Sequence, residues 1–434
     1  MSNIINILIA VVVFSVVIIF HELGHFLLAK KNGIGVTEFS LGMGPRLWSR
    51  KKGETRYSLK LFPIGGSCMM LGEDEELSSE NAFNNKSVWA RLAVIAAGPI
   101  FNFILAFILS LVIVSIYGYD KAAVTSVDEG SSAYEQGLKE GDIITSINGT
   151  NIDLGREVAL YFTFNTVKPG DVLHITYERD GKEYEADITC ETYKRYLLGF
   201  SYMPDKTAAE VLSITMGGAM DNAGIVVGDI ITSINGNEIT CGEDIYNINM
   251  GAGFTSAETE VKYMRNGIEY TTVITPTEYT GTTIGFSYNS SVCENTNALN
   301  VIKYSFIEVK YWISSTLKSL GWLVTGKLGA DDLGGPVRIV SEIGKVVDNS
   351  QKYGIVNVIV NLLNWAVLLS ANLGVMNLIP IPALDGGRIL FLLYEAIKKK
   401  PIDRNKEAYI NMIGFALLMV LMIFVFFNDL KHIF

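Results

Sequence analysis

A two-histidine motif at the end of an apolar segment of membrane length constrains this chain more than any other feature. Residues 5–20 are almost wholly apolar and run directly into His-Glu-Leu-Gly-His at residues 21–25. On a helix, positions i and i+4 share a face, so His21 and His25 can offer two imidazoles to one metal ion. Glu22 lies beside them, placed to take the proton of an attacking water. Because ionisable groups at membrane depth are costly and usually functional, the segment predicts a helical span that carries a metal site.

The composition is that of a membrane protein joined to polar modules. Of the 434 residues, 49% are hydrophobic and only 18% are charged, against roughly 25% charged in an ordinary globular domain. The apolar residues concentrate in four stretches that are long enough to span a bilayer: residues 3–29, 92–117, 355–397 and 408–427. The first stretch lacks the positive amino-terminal region of a signal peptide, since the first lysine is Lys30, so a retained transmembrane helix is predicted.

Basic residues predict which side of the membrane each loop faces. Lysines and arginines cluster in residues 30–60 and again in residues 398–406. The positive-inside rule places both loops in the cytoplasm, so the His21 end of the first span also lies on that side. The polar region between residues 120 and 297 then lies outside the cytoplasm. The net charge of −10 and the absence of basic clusters interleaved with aromatics argue against a nucleic-acid partner.

A duplicated segment organises the polar region. Gly-Asp-Ile-Ile-Thr-Ser-Ile-Asn-Gly occurs at residues 141–149 and again at residues 228–236. Gly-Phe-Ser-Tyr at residues 199–202 returns at residues 285–288, so a module of about 85 residues is repeated. The pattern A-x-x-x-G-L-x-x-G-D-x-I-x-x-I-N-G resembles that of PDZ domains, in which an exposed sheet edge accepts an extended peptide.

The third metal ligand has to come from outside histidine and cysteine. The four cysteines form no C-x-x-C pair, and the two remaining histidines have no metal spacing. Asp385 is the only carboxylate between residues 353 and 394, and it follows Pro380 and Pro382, where the third apolar stretch has to break. Zinc hydrolases use three protein ligands and leave one position open. The two motif histidines and Asp385 are therefore predicted to bind Zn²⁺.

Three further residues are candidates for supporting roles. Asn377 precedes Asp385 in the broken stretch and is predicted to donate a hydrogen bond to the developing oxyanion. Gly98 and Asn102 lie in the second span, where glycine permits close helix approach and asparagine can hydrogen-bond a neighbouring helix or the site. A packing role and a direct catalytic role remain open for this pair.

The sequences beside the spans predict smaller elements. Residues 55–62 alternate in the manner of a strand and are bounded by glycines, which predicts a hairpin or small sheet beside the first helix. The acidic residues 73–76 are predicted to form a solvated loop. Residues 298–326 mix apolar and basic positions, which fits either an amphipathic helix at the membrane surface or a helix packed against the repeats.

Together these motifs resemble the site-2 protease family. The resemblance rests on H-E-x-x-H in the first span, on G-x-x-x-N (Gly98 and Asn102) in the second, and on N-x-x-P-x-x-x-x-D-G, which begins at Asn377, in the third. The two PDZ-like modules make the chain similar to the branch that contains the regulator of sigma-E protease, whose membrane re-entrant hairpin falls at residues 42–66. The resemblance implies a zinc metalloendopeptidase that cleaves single-span substrates within the membrane, such as anti-sigma factors or remnant signal peptides.

The expected fold is a polytopic α-helical membrane protein with four transmembrane helices, a membrane-associated β-hairpin and two β-rich, extracytoplasmic PDZ-like domains. The predicted segments, in chain order, are transmembrane helix 1 (1–29), a cytoplasmic or re-entrant β region (30–90), transmembrane helix 2 (91–118), PDZ-like domain 1 (119–205), PDZ-like domain 2 (206–297), an amphipathic juxtamembrane region (298–350), transmembrane helix 3 (351–397), and a cytoplasmic loop with transmembrane helix 4 (398–434).

The predicted function is regulated intramembrane proteolysis in a bacterial cell membrane, with the active site towards the cytoplasm. The expected partners are transmembrane substrates, the lipid bilayer and peptide ligands of the PDZ-like domains, and residues 55–62 are expected to pair with an unwound substrate. The alternative is a membrane-anchored PDZ scaffold with a structural or vestigial zinc site. Glu22 argues against it, because a structural site uses four ligands and needs no base. A zinc transporter is disfavoured because only one ligand cluster is visible.

Overall fold

The computed structural model describes the chain except for residues 1, 74, 76, 252, 290–292, 295–296, 330–332, 352 and 434. Internal contacts divide it into a helical unit, Met1–Lys121 with Ser290–Phe434, and a β-rich unit, Ala122–Asn289. Two residues of the acidic tract predicted as a loop, at positions 74 and 76, lie outside the described residues.

The elements alternate between long helices and short strands. The helices are α1 Ser2–Lys31, α2 Val88–Tyr117, α3 Ser132–Glu135, α4 Gly155–Phe164, α5 Ala219–Asn222, α6 Gly242–Met250, α7 Ala298–Val324, α8 Pro336–Gln351, α9 Ile355–Leu378, α10 Asp385–Lys398 and α11 Arg404–Ile433, with a 3-10 turn at Phe83–Asn85. The strands are β1 Val36–Lys52, β2 Thr55–Met70, β3 Tyr119–Asp120, β4 Val124–Val127, β5 Ile143–Ile147, β6 Thr150–Asn151, β7 Val172–Arg179, β8 Lys182–Thr189, β9 Glu191–Leu197, β10 Phe200–Ser201, β11 Ser213–Ile214, β12 Ile230–Ile234, β13 Asn237–Glu238, β14 Thr259–Arg265, β15 Ile268–Ile274, β16 Thr277–Thr283, β17 Phe286–Tyr288 and β18 Cys293–Glu294.

Four helices are long and apolar enough to cross a membrane, namely α1, α2, α9 and α11. The prediction of four apolar helices of membrane length is therefore confirmed. The third stretch is not one helix, because α9 ends at Leu378 and α10 begins only at Asp385. Pro380 and Pro382 explain the break, since proline disfavours helical backbone in the residue before it and cannot donate to the helix ladder.

Glycines allow close contacts around α2, which packs against α1, α7, α9 and α10. A Cβ atom added at Gly24 of α1 would lie 2.3 Å from the carbonyl oxygen of Ala97 on α2. A Cβ atom at Gly374 of α9 would lie 2.7 Å from the ring of Phe103, also on α2. Such contacts let helix backbones approach where apolar burial gives no driving force. Helix α7 runs beside α2 and α9.

Strands β1 and β2 form a small sheet rather than a simple hairpin. Residues 36–41 pair with residues 66–70 on one side and with part of residues 55–60 on the other. Residues 46–52 then pair with the far side of residues 55–60. The order across the sheet is therefore 66–70, 36–41, 55–60 and 46–52. The predicted small sheet is present, but residues 36–41 and 55–60 form its interior and residues 66–70 and 46–52 form its edges.

This order corrects the expectation that residues 55–62 offer an edge to substrate. Leu59 already pairs with Leu41 on one side and with Trp48 on the other, so its backbone has no free side. Residues 66–70 form an edge that pairs with no further strand among the described residues, and Gly66 on this edge lies against α1. The sequence could not show this, because pairing of one segment on both sides depends on how the chain folds back, not on alternation.

A buried carboxylate ties the segments of this sheet together. Glu38 is 5% exposed and accepts hydrogen bonds from Arg46 Nε at 2.8 Å, from Arg46 Nη2 at 3.0 Å and from Ser58 Oγ at 2.6 Å. The Arg46 guanidinium lowers the pKa of Glu38 to about 2, with Ser58 and Lys60 acting in the same direction. The carboxylate therefore links residues 36–41 to both of the following segments.

The β-rich unit contains two sheets of the same construction. One has the strand order β6-β5-β7-β8 and the other β13-β12-β14-β15. The repeated Asn-Gly pairs turn the chain between the first two strands of each sheet, and Asn148 and Asn235 both have a φ of +48°. Asparagine tolerates this left-handed conformation better than most residues, which suits it to tight turns between strands. The duplication in the sequence therefore appears as a duplication in structure.

The two hydrophobic cores do not follow the sequential division predicted at residue 205. Phe286, from the end of the second repeat, packs into the first core with residues such as Ile144 and Ile175. Its strand, β17, pairs with β4 at the start of the first repeat. Leu198, from the end of the first repeat, packs into the second core. Each core therefore receives residues that a sequential boundary assigns to the other module.

Candidate active site

Three side chains that could bind a metal ion meet between α1 and α10. His21 and His25 lie one turn apart on α1, and Asp385 is the first residue of α10. Asp385 Oδ2 lies 3.2 Å from His21 Nε2 and 3.5 Å from His25 Nε2, and the two Nε2 atoms are 3.2 Å apart. Both histidines are buried, at 8% and 7% exposure. The structure thus brings together the three residues that the sequence predicted as ligands.

The chemistry of this cluster fits a zinc ion. Asp385 Oδ2 is buried and accepts no hydrogen bond from the part of the chain that the structure describes. A buried carboxylate without a donor is costly unless a cation meets it. Two imidazole nitrogens and one carboxylate oxygen, all within 4.8 Å of one another, form a ligand set of the catalytic zinc type, which leaves a position for substrate or water.

The proton of His25 is placed by the backbone of α2. His25 Nδ1 lies 2.9 Å from the carbonyl oxygen of Val94, which can only accept a hydrogen bond. Nδ1 therefore carries the proton and donates it, which leaves the lone pair of Nε2 directed at Asp385. This second contact fixes both ring orientation and tautomer, as metal-binding histidines generally require.

Asn102 stands in the same relation to His21. Its Nδ2 lies 3.2 Å from His21 Nδ1, while its Oδ1 is buried and has no partner among the described residues. The two ends of an amide are interchangeable in shape, so assignment follows the hydrogen bonds. Turning the amide pairs Oδ1 with an Nδ1 proton and frees Nε2 of His21 for a metal. The hydroxyl of Ser370 on α9 donates to the backbone carbonyl oxygen of Asn102 at 2.7 Å, which links α9 to this part of α2.

Gly98 lies directly against both imidazoles. A Cβ atom at this position would be 2.3 Å from His25 Nε2 and 2.8 Å from His21 Cε1. No side chain fits such distances, so glycine is required for α2 to approach the site. Of the roles left open by the sequence, the geometry gives Gly98 close packing against the ligands and gives Asn102 contact with one of them.

Glu22 lies beside the ligand cluster and against the sheet. A Cβ atom added at Gly66 would be 2.9 Å from Glu22 Cγ, so β2 packs closely onto this side chain. Its carboxylate is beside the backbone of Cys68 and within electrostatic range of all three candidate ligands. A carboxylate next to a metal cluster and a strand edge can exchange protons with a reactant held there.

The structure places Asn377 on α9, before the turn that leads to Asp385. It lies near the end of α9, half-buried, and its side chain makes no hydrogen bond to the described residues. The turn at residues 379–384, which separates Asn377 from Asp385, is not helical. Sequence reasoning also missed the Val94 carbonyl, because backbone acceptors leave no residue signature.

A polar cavity of about 1070 Å³ lies in the same unit, and its lining does not include His21, His25 or Asp385. Two ion pairs line it, Arg91 with Glu395 and Arg388 with Glu73. Arg388, one of its lining residues, follows Asp385 by one turn on α10. Its lining is charged on the side formed by α2, α10 and the start of α11.

Comparison with known proteins agrees with this chemistry. The sequence model of peptidase family M50 matches residues 9–421 of this chain. The chain is 32% identical over 442 residues to the zinc metalloprotease RasP of Geobacillus kaustophilus, with 98% of this chain and 97% of that protein covered. It is 30% identical over 507 residues to the regulator of sigma-W protease RasP of Bacillus subtilis, with 98% of each covered.

Among solved structures, the chain matches the PDZ domain of an SdrC-like protein from Listeria monocytogenes with 33% sequence identity. The match covers 17% of this chain and 74% of that structure, with a TM-score of 0.15. The family match extends across nearly the whole chain, including both metal-ligand elements. The resemblance predicted from the motifs is therefore confirmed, and the chain belongs to peptidase family M50, the site-2 protease family of zinc metalloendopeptidases.

Proposed function

We propose that this protein hydrolyses peptide bonds in the transmembrane segments of single-span substrates. The observation that carries the proposal is the position of the cluster. His21 and His25 lie on α1, a helix of membrane length, and Asp385 begins α10, which follows the membrane-length helix α9. A protease whose site lies at this depth reaches bonds that other proteases cannot. The lipid bilayer is then the medium through which the substrate arrives.

The chain's own residues divide the reaction between them. His21, His25 and Asp385 would hold Zn²⁺, which supplies Lewis acidity towards a peptide carbonyl and towards water. Glu22 takes the proton of the attacking water and returns it to the leaving amine. Val94 and Asn102 keep the two imidazoles oriented. Asn377 remains a candidate oxyanion donor only if substrate binding brings a carbonyl towards the end of α9.

The substrate is proposed to bind as an added strand on residues 66–70. A helical peptide bond hides its carbonyl from attack, so the substrate has to unwind before hydrolysis. Residues 66–70 form the sheet edge that runs past Glu22, and the backbone of Cys68 faces that carboxylate. An extended peptide paired there would lie between the edge and the ligand cluster. Cys68→Pro removes the N–H of a residue in the middle of this edge and should impair cleavage, whereas unchanged turnover would reject this docking edge.

The wider setting follows from charge and from the relatives. The basic loops support a cytoplasmic position for the site and an extracytoplasmic position for two PDZ-like domains in a bacterial cell membrane. One relative is named for regulation of sigma-W, which supports anti-sigma factors as substrates here, with remnant signal peptides as a second class. The PDZ-like domains would then bind peptide or restrict entry of substrates with bulky outer domains.

A reconstituted cleavage assay tests the proposal. Wild type and Glu22→Gln are placed in liposomes with a single-span substrate, and the products are mapped by mass spectrometry. Glu22→Gln should retain its fold and zinc but lose about 10²–10⁴-fold in cleavage rate, because the proton-transfer group is gone. Met412→Leu, at an exposed position of α11, is the matched control. Undiminished cleavage by Glu22→Gln, or cuts only outside the transmembrane segment, would contradict the proposal and favour a scaffold.

A further inference from the structure

The turn that delivers Asp385 contains a strained residue. Residues 379–384 connect α9 to α10, and Ala383 within them has a φ of +75°. Residues with a Cβ atom rarely adopt this left-handed conformation, which is less favourable for alanine than for glycine. Strain of this kind persists only where surrounding contacts enforce it, and it concentrates at functional sites. The contacts that enforce it therefore bear on how Asp385 is presented.

One set of contacts comes from α10 itself. A Cβ atom at Gly386 would lie 2.1 Å from the carbonyl oxygen of Ile379, and one at Gly387 would lie 2.5 Å from that of Ile381. The turn therefore folds back tightly over the first turn of the helix that begins with Asp385. These contacts join the turn to its own helix but do not hold it against the rest of the unit.

The other set comes from α11, which follows later in the chain. Ala383 donates its backbone N–H to Asn411 Oδ1 at 3.1 Å. On the next turn of the helix, a Cβ atom at Gly414 would lie 2.4 Å from the carbonyl oxygen of Pro382. The α11 backbone is thus pressed against the strained turn, and one side-chain amide bonds to the strained residue. Much of the rest of α11 is exposed, as Met412 is at 60%.

We propose that Asn411, assisted by Gly414, is a positioning residue for Asp385. The amide of Asn411 holds Ala383 in its left-handed conformation, and this sets the Asp385 carboxylate opposite His21 and His25. Asn411 does not itself touch the ligand cluster, so it acts through the backbone of the turn. Helix α11 then controls metal retention as well as spanning the membrane. The inference rests on the zinc role proposed above for Asp385.

Zinc release from the purified full-length protein in detergent tests this role without relying on activity. Asn411→Leu removes the acceptor at similar volume, and an excess of chelator should then strip zinc about five-fold faster, the factor that corresponds to one neutral hydrogen bond. Asn411→Asp keeps an acceptor oxygen and should release zinc at nearly the wild-type rate. Met412→Leu, on the adjacent exposed position, is the matched control. If Asn411→Leu fails to fold, Gly414→Ala replaces it with the same expectation.

Two further readouts separate positioning from a general loss of stability. Ala383→Gly relieves the left-handed strain, so Asn411→Leu should have less than about half its effect on the logarithm of the release rate in that background. The increase in melting temperature on adding zinc should be smaller in Asn411→Leu than in wild type, in addition to any change in the melting temperature of the zinc-free protein.

The outcomes distinguish the two levels of the argument. Wild-type release by Asn411→Leu, or no suppression by Ala383→Gly, overturns the role of Asn411 and leaves the proposed site intact if His25→Ala still loses its zinc. Equal retention by wild type and His25→Ala overturns the proposed zinc site, and the inference with it.

Discussion

Two sets of buried carboxylates, one in the β-rich unit and one at the candidate site, are satisfied in different ways. In the β-rich unit, Asp142 is 1% exposed and meets the guanidinium of Arg179 through both oxygens, and Asp229 repeats this arrangement with Arg265. In the helical unit, Asp385 Oδ2 faces two imidazole nitrogens and has no donor among the described residues. In the first arrangement an arginine of the protein neutralises the carboxylate. In the second the carboxylate oxygen is available to bind a cation.

The membrane environment alone does not produce the incomplete arrangement. Asp429 on α11 is fully buried, yet it accepts hydrogen bonds from the backbone N–H groups of Gly335, Val337 and Arg338 at the start of α8. Its carboxylate therefore caps a helix, where negative charge is favoured. The contrast between Asp429 and Asp385 teaches that an unsatisfied carboxylate is a local property of one cluster. That cluster is where the chemistry is expected.

The largest expected effect comes from closing the space around the cluster. Gly98→Ala adds a Cβ atom within 2.3 Å of His25 Nε2, so the imidazoles have to move. A displacement of about 1 Å at a reacting centre can lower the rate by about 100-fold. Cleavage of a liposome-reconstituted substrate measures the loss. Gly321→Ala, in a helix position with open space, is the control, and equal activity of the two variants would contradict the geometry.

The next effect separates the two kinds of carboxylate directly. Asp142→Ala leaves Arg179 without its partner and should destabilise the first β-rich core by about 2–3 kcal/mol, the range for hydrogen bonds to charged groups. Asp385→Ala removes a buried charge that the zinc-free protein does not satisfy, so zinc-free stability should hold or rise. Denaturant unfolding in the presence of a chelator measures both. A similar loss of unfolding free energy in Asp142→Ala and Asp385→Ala would contradict the distinction between the two carboxylates.

A smaller effect tests the orientation of His21. Asn102→Asp keeps an oxygen acceptor for the Nδ1 proton, whereas Asn102→Leu removes it. Loss of such an outer partner lowers metal affinity by about 10-fold or more, so Asn102→Leu should bind zinc more weakly than Asn102→Asp in a competitive chelator titration. The reverse order would show that Asn102 donates to His21 rather than accepting from it.

The smallest effect concerns an exposed histidine in the β-rich unit. The hydrogen bond to Asp187, 2.8 Å away, raises the pKa of His174. Because the folded pKa exceeds the unfolded value, the stabilising contribution is complete below about pH 6.5 and is lost as pH rises through the folded pKa. An NMR titration of labelled histidine should show the His174 pKa falling in Asp187→Asn. An unchanged His174 pKa would show that Asp187 does not stabilise the protonated imidazole.

Much of the site could be predicted because its chemistry depends on residue type and spacing. His21 and His25 share a helix face by periodicity, and Asp385 is the only carboxylate between residues 353 and 394. The four apolar helices follow from their length. These features are local or compositional, so they survive without knowledge of tertiary contacts.

The remaining features depend on how distant segments meet. Phe286 fills a core that begins more than a hundred residues earlier, and no repeat pattern indicates that exchange. The Val94 carbonyl and the Asn411 amide act on the site through the backbone, which carries no side-chain signal. Residues 55–60 became an interior strand because the chain folds back on itself twice. The role of Asn377 as an oxyanion donor stays a prediction, because it depends on where a substrate carbonyl lies.

The zinc content of purified protein tests the central claim most directly. Wild type, Glu22→Gln and a His25→Ala/Asp385→Ala double variant are prepared in detergent, dialysed against weak chelator and measured by elemental analysis. We expect one zinc ion per chain in wild type and in Glu22→Gln, and almost none in the double variant. Retention of zinc by the double variant, or its absence from wild type, would contradict the assignment of this cluster as the catalytic metal site.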